Sequence, residues 1–259
     1  MNILLEVIVA SLDDARAASA GGADRFELCS ALALGGLTAS LGTLAAIKEE
    51  LSQPVMYMVR PREGGMAYTE NETRVMERDA ELALQAGADG IVFGFLTHQG
   101  QVDVARCRRV LKLLPRGRQS VFHRAFDVVA DPERALEQLI ELGFTRVLTS
   151  GRAATVTRGL DQIVRTIEQA AGRIEVLPGG GITIDNVRDV VAATGVRQVH
   201  LALMAPAPDI SAHSNPAVYF GASLPLSELE YAAVDAALVA RARAALDQES
   251  RHPPVVGCD

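Results

Sequence analysis

The 259 residues carry 25 Lys and Arg against 32 Asp and Glu, a formal net charge of -7, with 49% apolar and 22% charged residues. That is the balance of a soluble globular chain without a general basic footprint, which argues against a nucleic-acid partner and leaves room for a local positive pocket. Three cysteines, Cys29, Cys107 and Cys258, are too few for a disulfide scaffold and read as free thiols in a reducing compartment.

The chain opens on "NILLEVIVA", an apolar run too short to cross a membrane and without the basic flank of a signal peptide. It reads as a first strand, and the expected location is cytoplasmic with no membrane partner. Short runs rich in Val, Ile, Leu and Phe predict strands at 3–9, 24–28, 54–59, 89–93, 119–123, 145–148, 174–177 and 196–200. Ala-rich amphipathic stretches predict helices near 12–20, 40–50, 70–86, 103–113, 131–141, 156–170 and 184–193, with a last long one over 226–248. Several end on a glycine stop ("ASAGGAD", "LQAGAD", "IELGFT", "VAATGV"), and Asp131 followed by Pro132 is a good helix start. Strict alternation of eight strands with eight helices predicts an α/β fold, a closed TIM-type (β/α)8 barrel spanning 1–248 as one domain. The tail 249–259 is expected to be disordered. No GxGxxG follows the first strand, which argues against a dinucleotide fold. The alternation breaks after His200, where a proline-rich stretch without clear periodicity reads as a loop that is functional or mobile.

A barrel carries its site at the carboxyl ends of its strands, and the unusual residues sort there. Glu6 and Glu27 interrupt apolar runs, Arg60 follows the third strand, and His123, Arg124 and Asp127 follow the fifth. Ser150 and Gly151 follow the sixth, and His200 ends the eighth. A buried carboxylate must be paired, hydrogen-bonded or neutralised, and Arg60, Arg62 and Arg124 are the expected counter-charges. The alternative is a purely structural ion-pair network, with the histidines satisfied in the core and Arg124 paired locally with Asp127. After the seventh strand, "EVLPGGGIT" places Gly180, Gly181 and a helix amino end at the barrel mouth, a phosphate-binding loop in character. Met56 and Met58 share a strand face and Cys29 follows the second strand, a soft donor set of the kind Cu(I) accepts. No CxxC or HxxxH accompanies them, and methionine inside a barrel is ordinary packing.

At "FELC", "GGLTAS", "VRPREGG", "FHRAFD", "RVLTSG" and "LPGGGI" the chain resembles the CutC family, the so-called copper homeostasis proteins, from about residue 3 to 205. The resemblance implies a cytoplasmic TIM-type barrel, a homodimer or larger assembly, with a pocket at its carboxyl-terminal face. It carries over onto Glu6, Glu27, Arg60, His123, Arg124, Asp127 and His200, and makes Cys29 the residue recruited for Cu(I) binding. No other cofactor is evident. Where relatives read "VHSSA" or "VHASA", this chain has "VHLAL", so Leu201 and Leu203 are expected to replace small hydroxyl residues that could grip an anion. Two functions follow: copper homeostasis with Cu(I) binding, or an enzyme or binding protein for a small anionic, phosphorylated metabolite. In the second, Arg60, Arg124, Ser150, Gly180, Gly181 and His200 would bind the partner. Glu6, Glu27, His123 and Asp127 would carry acid–base work.

Overall fold

The computed structural model describes residues 3–215, 217, 218, 220 and 228–249. Eight short strands, β1 (Leu4–Val9), β2 (Arg25–Leu28), β3 (Val55–Met58), β4 (Gly90–Phe93), β5 (Gln119–Phe122), β6 (Arg146–Thr149), β7 (Glu175–Pro178) and β8 (Gln198–Leu201), form one parallel sheet. Its order is β7-β6-β5-β4-β3-β2-β1-β8, and a parallel bridge between Gly179 and His200 joins the two ends. Helices α1 (Leu12–Ala20), α2 (Leu41–Glu50), α3 (Glu70–Gln85), α4 (Val104–Leu111), α5 (Pro132–Leu142), α6 (Val156–Ala170) and α7 (Val187–Thr194) connect them. The fold is a (β/α)8 barrel.

Local chemistry accounts for the boundaries. Ser11, Thr69, Asp103 and Asp131 each accept a backbone N–H of the first helical turn, and Thr69 with Glu72 completes a capping box. Gly143 and Gly195 close α5 and α7 in the left-handed region.

The expected helix over 226–248 begins later. Residues 230–234 form β10 (Glu230–Val234), antiparallel to β9 (Met204–Pro208), and only then does α8 (Ala236–Glu249) start. Asp235 stops the strand and accepts the N–H groups of Ala237 and Leu238. The stretch after His200 therefore holds a two-stranded ribbon. Asp209 N–H donates to the Leu229 carbonyl and Asp235 N–H to that of Leu203, so Pro206 and Pro208 fall at positions where the ladder needs no N–H. The start of the expected helix, 226 and 227, and the tail from 250 onward lie outside the described residues.

Period-two alternation divides the barrel into an outer core and a central column. Leu5, Val7, Phe26, Leu28, Val147 and Val199 point outward against the helices. Inside, three levels follow one another. At the amino ends lies a polar level of buried Arg25, Arg146 and Gln198, half-buried Gln119 and exposed Glu175, in which Arg25 donates to Gln198 and Arg146 to both Glu175 and Gln119. Above it sits an apolar plug of Met56, Val92, Val121, Leu148 and Leu177. The third level is a cavity.

Candidate functional site

The cavity, about 490 Å³, opens at the carboxyl ends of the strands. Glu27 from β2 and His200 from β8 line it, with Arg60 just past β3, His123 and Arg124 just past β5, and residues 180–183 past β7. Ile8, Met58 and Leu148 supply its apolar wall. Of the ten groups expected to bind or react, the structure brings seven to this cavity: Glu27, Arg60, His123, Arg124, Gly180, Gly181 and His200, with Cys29 beside them.

Glu6 is not among the lining residues. Its carboxylate lies beneath His200, accepting from Arg25 Nε and meeting His200 Nδ1 at 2.7 Å. Strand register brings the three together, because Glu6 is the Cα partner of both Arg25 and His200. Burial alone would raise the Glu6 carboxyl, but Arg25 and the His200 hydrogen bond together hold it well below the usual carboxylate range. The expected counter-charges were Arg60, Arg62 and Arg124. Arg25 takes that place instead, while Arg62 pairs with Glu72 on α3.

His200 is buried, which disfavours its charged form, yet Glu27 and Glu6 on either side outweigh this and raise its pKa. With Nδ1 committed to Glu6, its Nε2 faces Glu27 Oε2 at 3.7 Å. Burial pushes Glu27 up to about 7, opposed by His200 and reinforced by the Glu6 charge. One potential ligand atom from each of Glu6, Glu27 and His200 lies within 4.8 Å of the others. Arg25 and His200 both hydrogen-bond Glu6, whereas His200 Nε2 stands beyond hydrogen-bond reach of Glu27.

His123 is buried, and its Nδ1 accepts the N–H of Ala125, so the ring proton resides on Nε2. That Nε2 has no partner. Burial, then the nearby Arg60 charge, lower its pKa to about 4. The ring packs where only glycine fits: a Cβ on Gly94 would stand 2.7 Å from His123 Cε1 and 2.8 Å from Nδ1. A Cβ on Gly179 would likewise stand 2.9 Å from His200 Cδ2.

Arg60 is buried, and its guanidinium donates to three loop carbonyls: Leu34 and Gly36 through Nη1, and Gly64 through Nη2. Its Nε is unpartnered, and no carboxylate pairs with it among the described residues. Arg124 differs. Its Nε donates to Asp127 and its Nη2 to Ser150 Oγ. Asp127 also accepts from Thr149 Oγ1, from the N–H groups of Ser150 and Arg152, and from Ser150 Oγ. Asp127 and Ser150 lie outside the cavity lining; they form a brace that fixes the half-exposed Arg124 at its rim.

The glycine loop departs from expectation in one respect. Helix α7 starts only at Val187, so the donors at the mouth are loop amides instead of a helix end. The N–H groups of Gly181 and Ile182 donate no hydrogen bond among the described residues. Beyond β8, Ala202 and Met204 reach the cavity, while Leu201 and Leu203 lie in the outer core.

Cys29 lines the cavity with Met58 and Met66, but burial and then the Glu27 charge drive its thiol pKa far up, so it holds its proton. Cys107 sits in the outer core, its thiol pushed up to about 12 by burial.

The CutC family model matches residues 3–205. The chain belongs to the CutC family. A CutC family protein of Treponema denticola is 48% identical over 236 residues, covering 90% of this chain and 96% of that protein. The human copper homeostasis protein cutC homolog is 44% identical over 232 residues, covering 90% and 85% respectively. Among solved structures, the Streptococcus agalactiae CutC crystal structure matches with a TM-score of 0.73 at 35% identity, covering 76% of this chain and 97% of that one.

Arg25, Arg146, Gln198 and Gly94 had drawn no attention in the sequence. Arg25 carried a readable signal, since it lies two residues before Glu27 and so shares its strand face. Gly94 carried none: a lone glycine after "IVF" does not announce the ring it accommodates.

Proposed function

We propose that this CutC chain takes a small anionic, phosphate-bearing molecule into the cavity and transfers a proton on it. The observation that carries the reading is Arg60, a buried guanidinium without a carboxylate partner among the described residues, on the wall of a cavity large enough for a metabolite. An uncompensated buried charge is costly, and an anion relieves it. The free amides of Gly181 and Ile182 and the Arg124 guanidinium supply further donors. Glu27 below, beside His200, supplies a proton acceptor.

Calorimetric titration with inorganic phosphate tests the binding half. Wild type should bind, and Arg60→Ala should weaken binding about 10- to 100-fold, the worth of a charge-assisted hydrogen bond. Arg60→Lys, which keeps the charge but not the fork, should fall between. Equal binding by all three sinks the reading.

The names of the relatives support a second reading, copper homeostasis through Cu(I) as cargo. The observation in its favour is that Cys29, Met58 and Met66 line one cavity. As they stand these residues do not fit Cu(I) well, because the thiolate must form against both burial and Glu27. Titration with Cu(I) against a competing chelator decides it: tight binding lost in Cys29→Ser favours copper, and affinity unchanged by that substitution ends it. The reading also takes the protein to be cytoplasmic and a homodimer or larger, for which the exposed Ile210, Phe220 and Tyr231 around the β9–β10 ribbon offer an apolar surface. No described helix is long and apolar enough to cross a membrane.

A further inference from the structure

Two groups in the cavity are more specific than anion binding requires. His123 presents an N–H with no partner, and Glu27 presents a carboxyl whose nearest charged neighbour, His200 Nε2, stands 3.7 Å away. They enter from β2 and β5, three places apart in the strand order, and both line the cavity. We propose that the cavity is a carbon-acid site. Glu27 takes a proton from the carbon beside a carbonyl group, and His123 donates its Nε2–H to that carbonyl oxygen. The substrate class is a small α-hydroxycarbonyl compound bearing a phosphate. The phosphate part rests on the anion reading above.

The donor assignment follows from the tautomer. The Ala125 N–H occupies Nδ1, so the ring can act toward the cavity only as a donor. The ring is neutral at physiological pH, held down to about 4 by burial and by Arg60. A neutral imidazole is closer in proton affinity to an enediolate oxygen than an imidazolium would be, and so shares its proton more evenly. Glu27 lines the cavity and supplies the carboxylate that accepts the proton from carbon and returns it. His200, fixed at Nδ1 by Glu6, stands 3.7 Å from Glu27 and steadies its charge.

The step balances without a cofactor. The C–H electron pair becomes the new C=C bond, the carbonyl π pair moves to oxygen, and the proton passes to Glu27. His123 gives its Nε2 proton to that oxygen and recovers one from the neighbouring hydroxyl. Glu27 then returns its proton to the adjacent carbon, which completes an isomerisation, or to the original carbon, which leaves only exchange with solvent.

Wild type incubated in D2O with dihydroxyacetone phosphate, ribulose 5-phosphate or fructose 6-phosphate, followed by proton NMR, provides the test. The expected result is deuterium at the carbon beside the carbonyl in at least one compound. Glu27→Gln should slow that exchange by about 100- to 10,000-fold. His123→Gln should slow it less, and 15N spectra of wild type should show His123 as the neutral Nε2–H tautomer down to about pH 5. Phosphate binding with no exchange on any compound overturns the carbon-acid assignment and leaves the anion reading standing. Failure of wild type to bind phosphate removes both. Exchange that persists undiminished in Glu27→Gln, or a His123 that is protonated at pH 6, overturns the assigned roles.

Discussion

Replacing Glu6 with Gln removes the carboxylate that faces two buried guanidiniums, Arg25 and Arg146, at the base of the barrel. Arg25 would keep only the Gln198 side-chain oxygen, at 2.9 Å, as a strong partner, and Arg146 would keep Glu175. Two like charges, each no more than 3% exposed, would then face one another in a dry interior. Removing one partner of such a pair costs about 3–5 kcal/mol. For a chain of this length that lowers Tm by about 6–20 °C, at 2–4 °C per kcal/mol. Arg25→Met should cost less, about 1–3 kcal/mol, because Glu6 retains His200 and can be neutralised by a proton. Removing both, in Glu6→Leu with Arg25→Met, should recover part of the Glu6→Gln loss, since no orphaned charge remains. Urea denaturation at pH 7 followed by circular dichroism reads all three. A Glu6→Gln loss below about 1 kcal/mol, or a double variant less stable than either single one, refutes the account of this level as a charge-balanced unit.

Glu27 gives a pH signature. Its folded pKa, about 7 against 4.5 in an exposed carboxyl, means that the folded state holds the extra proton between those values, so stability falls as pH rises through that window. Denaturation across it should show this slope in wild type and a flatter one in Glu27→Gln; identical slopes contradict the buried, undercompensated carboxyl. Gly94→Ala forces a Cβ to within 2.8 Å of two His123 ring atoms and should cost about 1–3 kcal/mol, with displaced His123 resonances; unmoved resonances refute the close packing. Ala202→Ser adds a hydroxyl to the cavity wall and should tighten inorganic phosphate binding about 2- to 10-fold, measured by calorimetry, whereas unchanged affinity places position 202 away from the anion. Cys29 and Cys107 should react with iodoacetamide about 100-fold more slowly in the native protein than in urea. Rapid native alkylation of Cys29, located by mass spectrometry, would show its thiol to be accessible and ionised.

The barrel was legible because its strands and helices obey local rules. Short branched runs between capped amphipathic helices leave few alternatives, and Asp131–Pro132 and Gly143 mark α5 at both ends. What escaped was the stretch from Met204 to Val234, where strand pairing is decided across a long connection. "MAPAP" reads as a loop because of its prolines. They are tolerated in β9 because each falls on a position that donates nothing to β10. The helix expected from 226 onward failed for a related reason. Residues 230–234 and 236–249 are both Ala-rich, and Asp235 between them, as a helix cap, is the local mark of the change.

In the site, legibility ended where strand parity ends. Gln119, Val121 and His123 share one face of β5, as Arg25, Glu27 and Cys29 do on β2, so an inward His123 or Glu27 is a period-two consequence. Applied to "DRFEL", the same rule puts Arg25 inside with Glu27 and identifies the counter-charge of Glu6 without recourse to Arg60. Beyond the last strand residue, parity no longer operates. Arg124 and Asp127 sit in a 3-10 turn, Arg124–Val128, whose three-residue period places them side by side. That neighbourhood is readable, but whether the pair faces the cavity or the β6 loop is decided by Thr149, Ser150 and Arg152, whose donors engage Asp127. Both Asp127 carboxylate oxygens are thereby engaged by that loop and by Arg124. Arg60, past β3 and two strands from β5, donates to the carbonyls of Leu34, Gly36 and Gly64 and pairs with no carboxylate among the described residues.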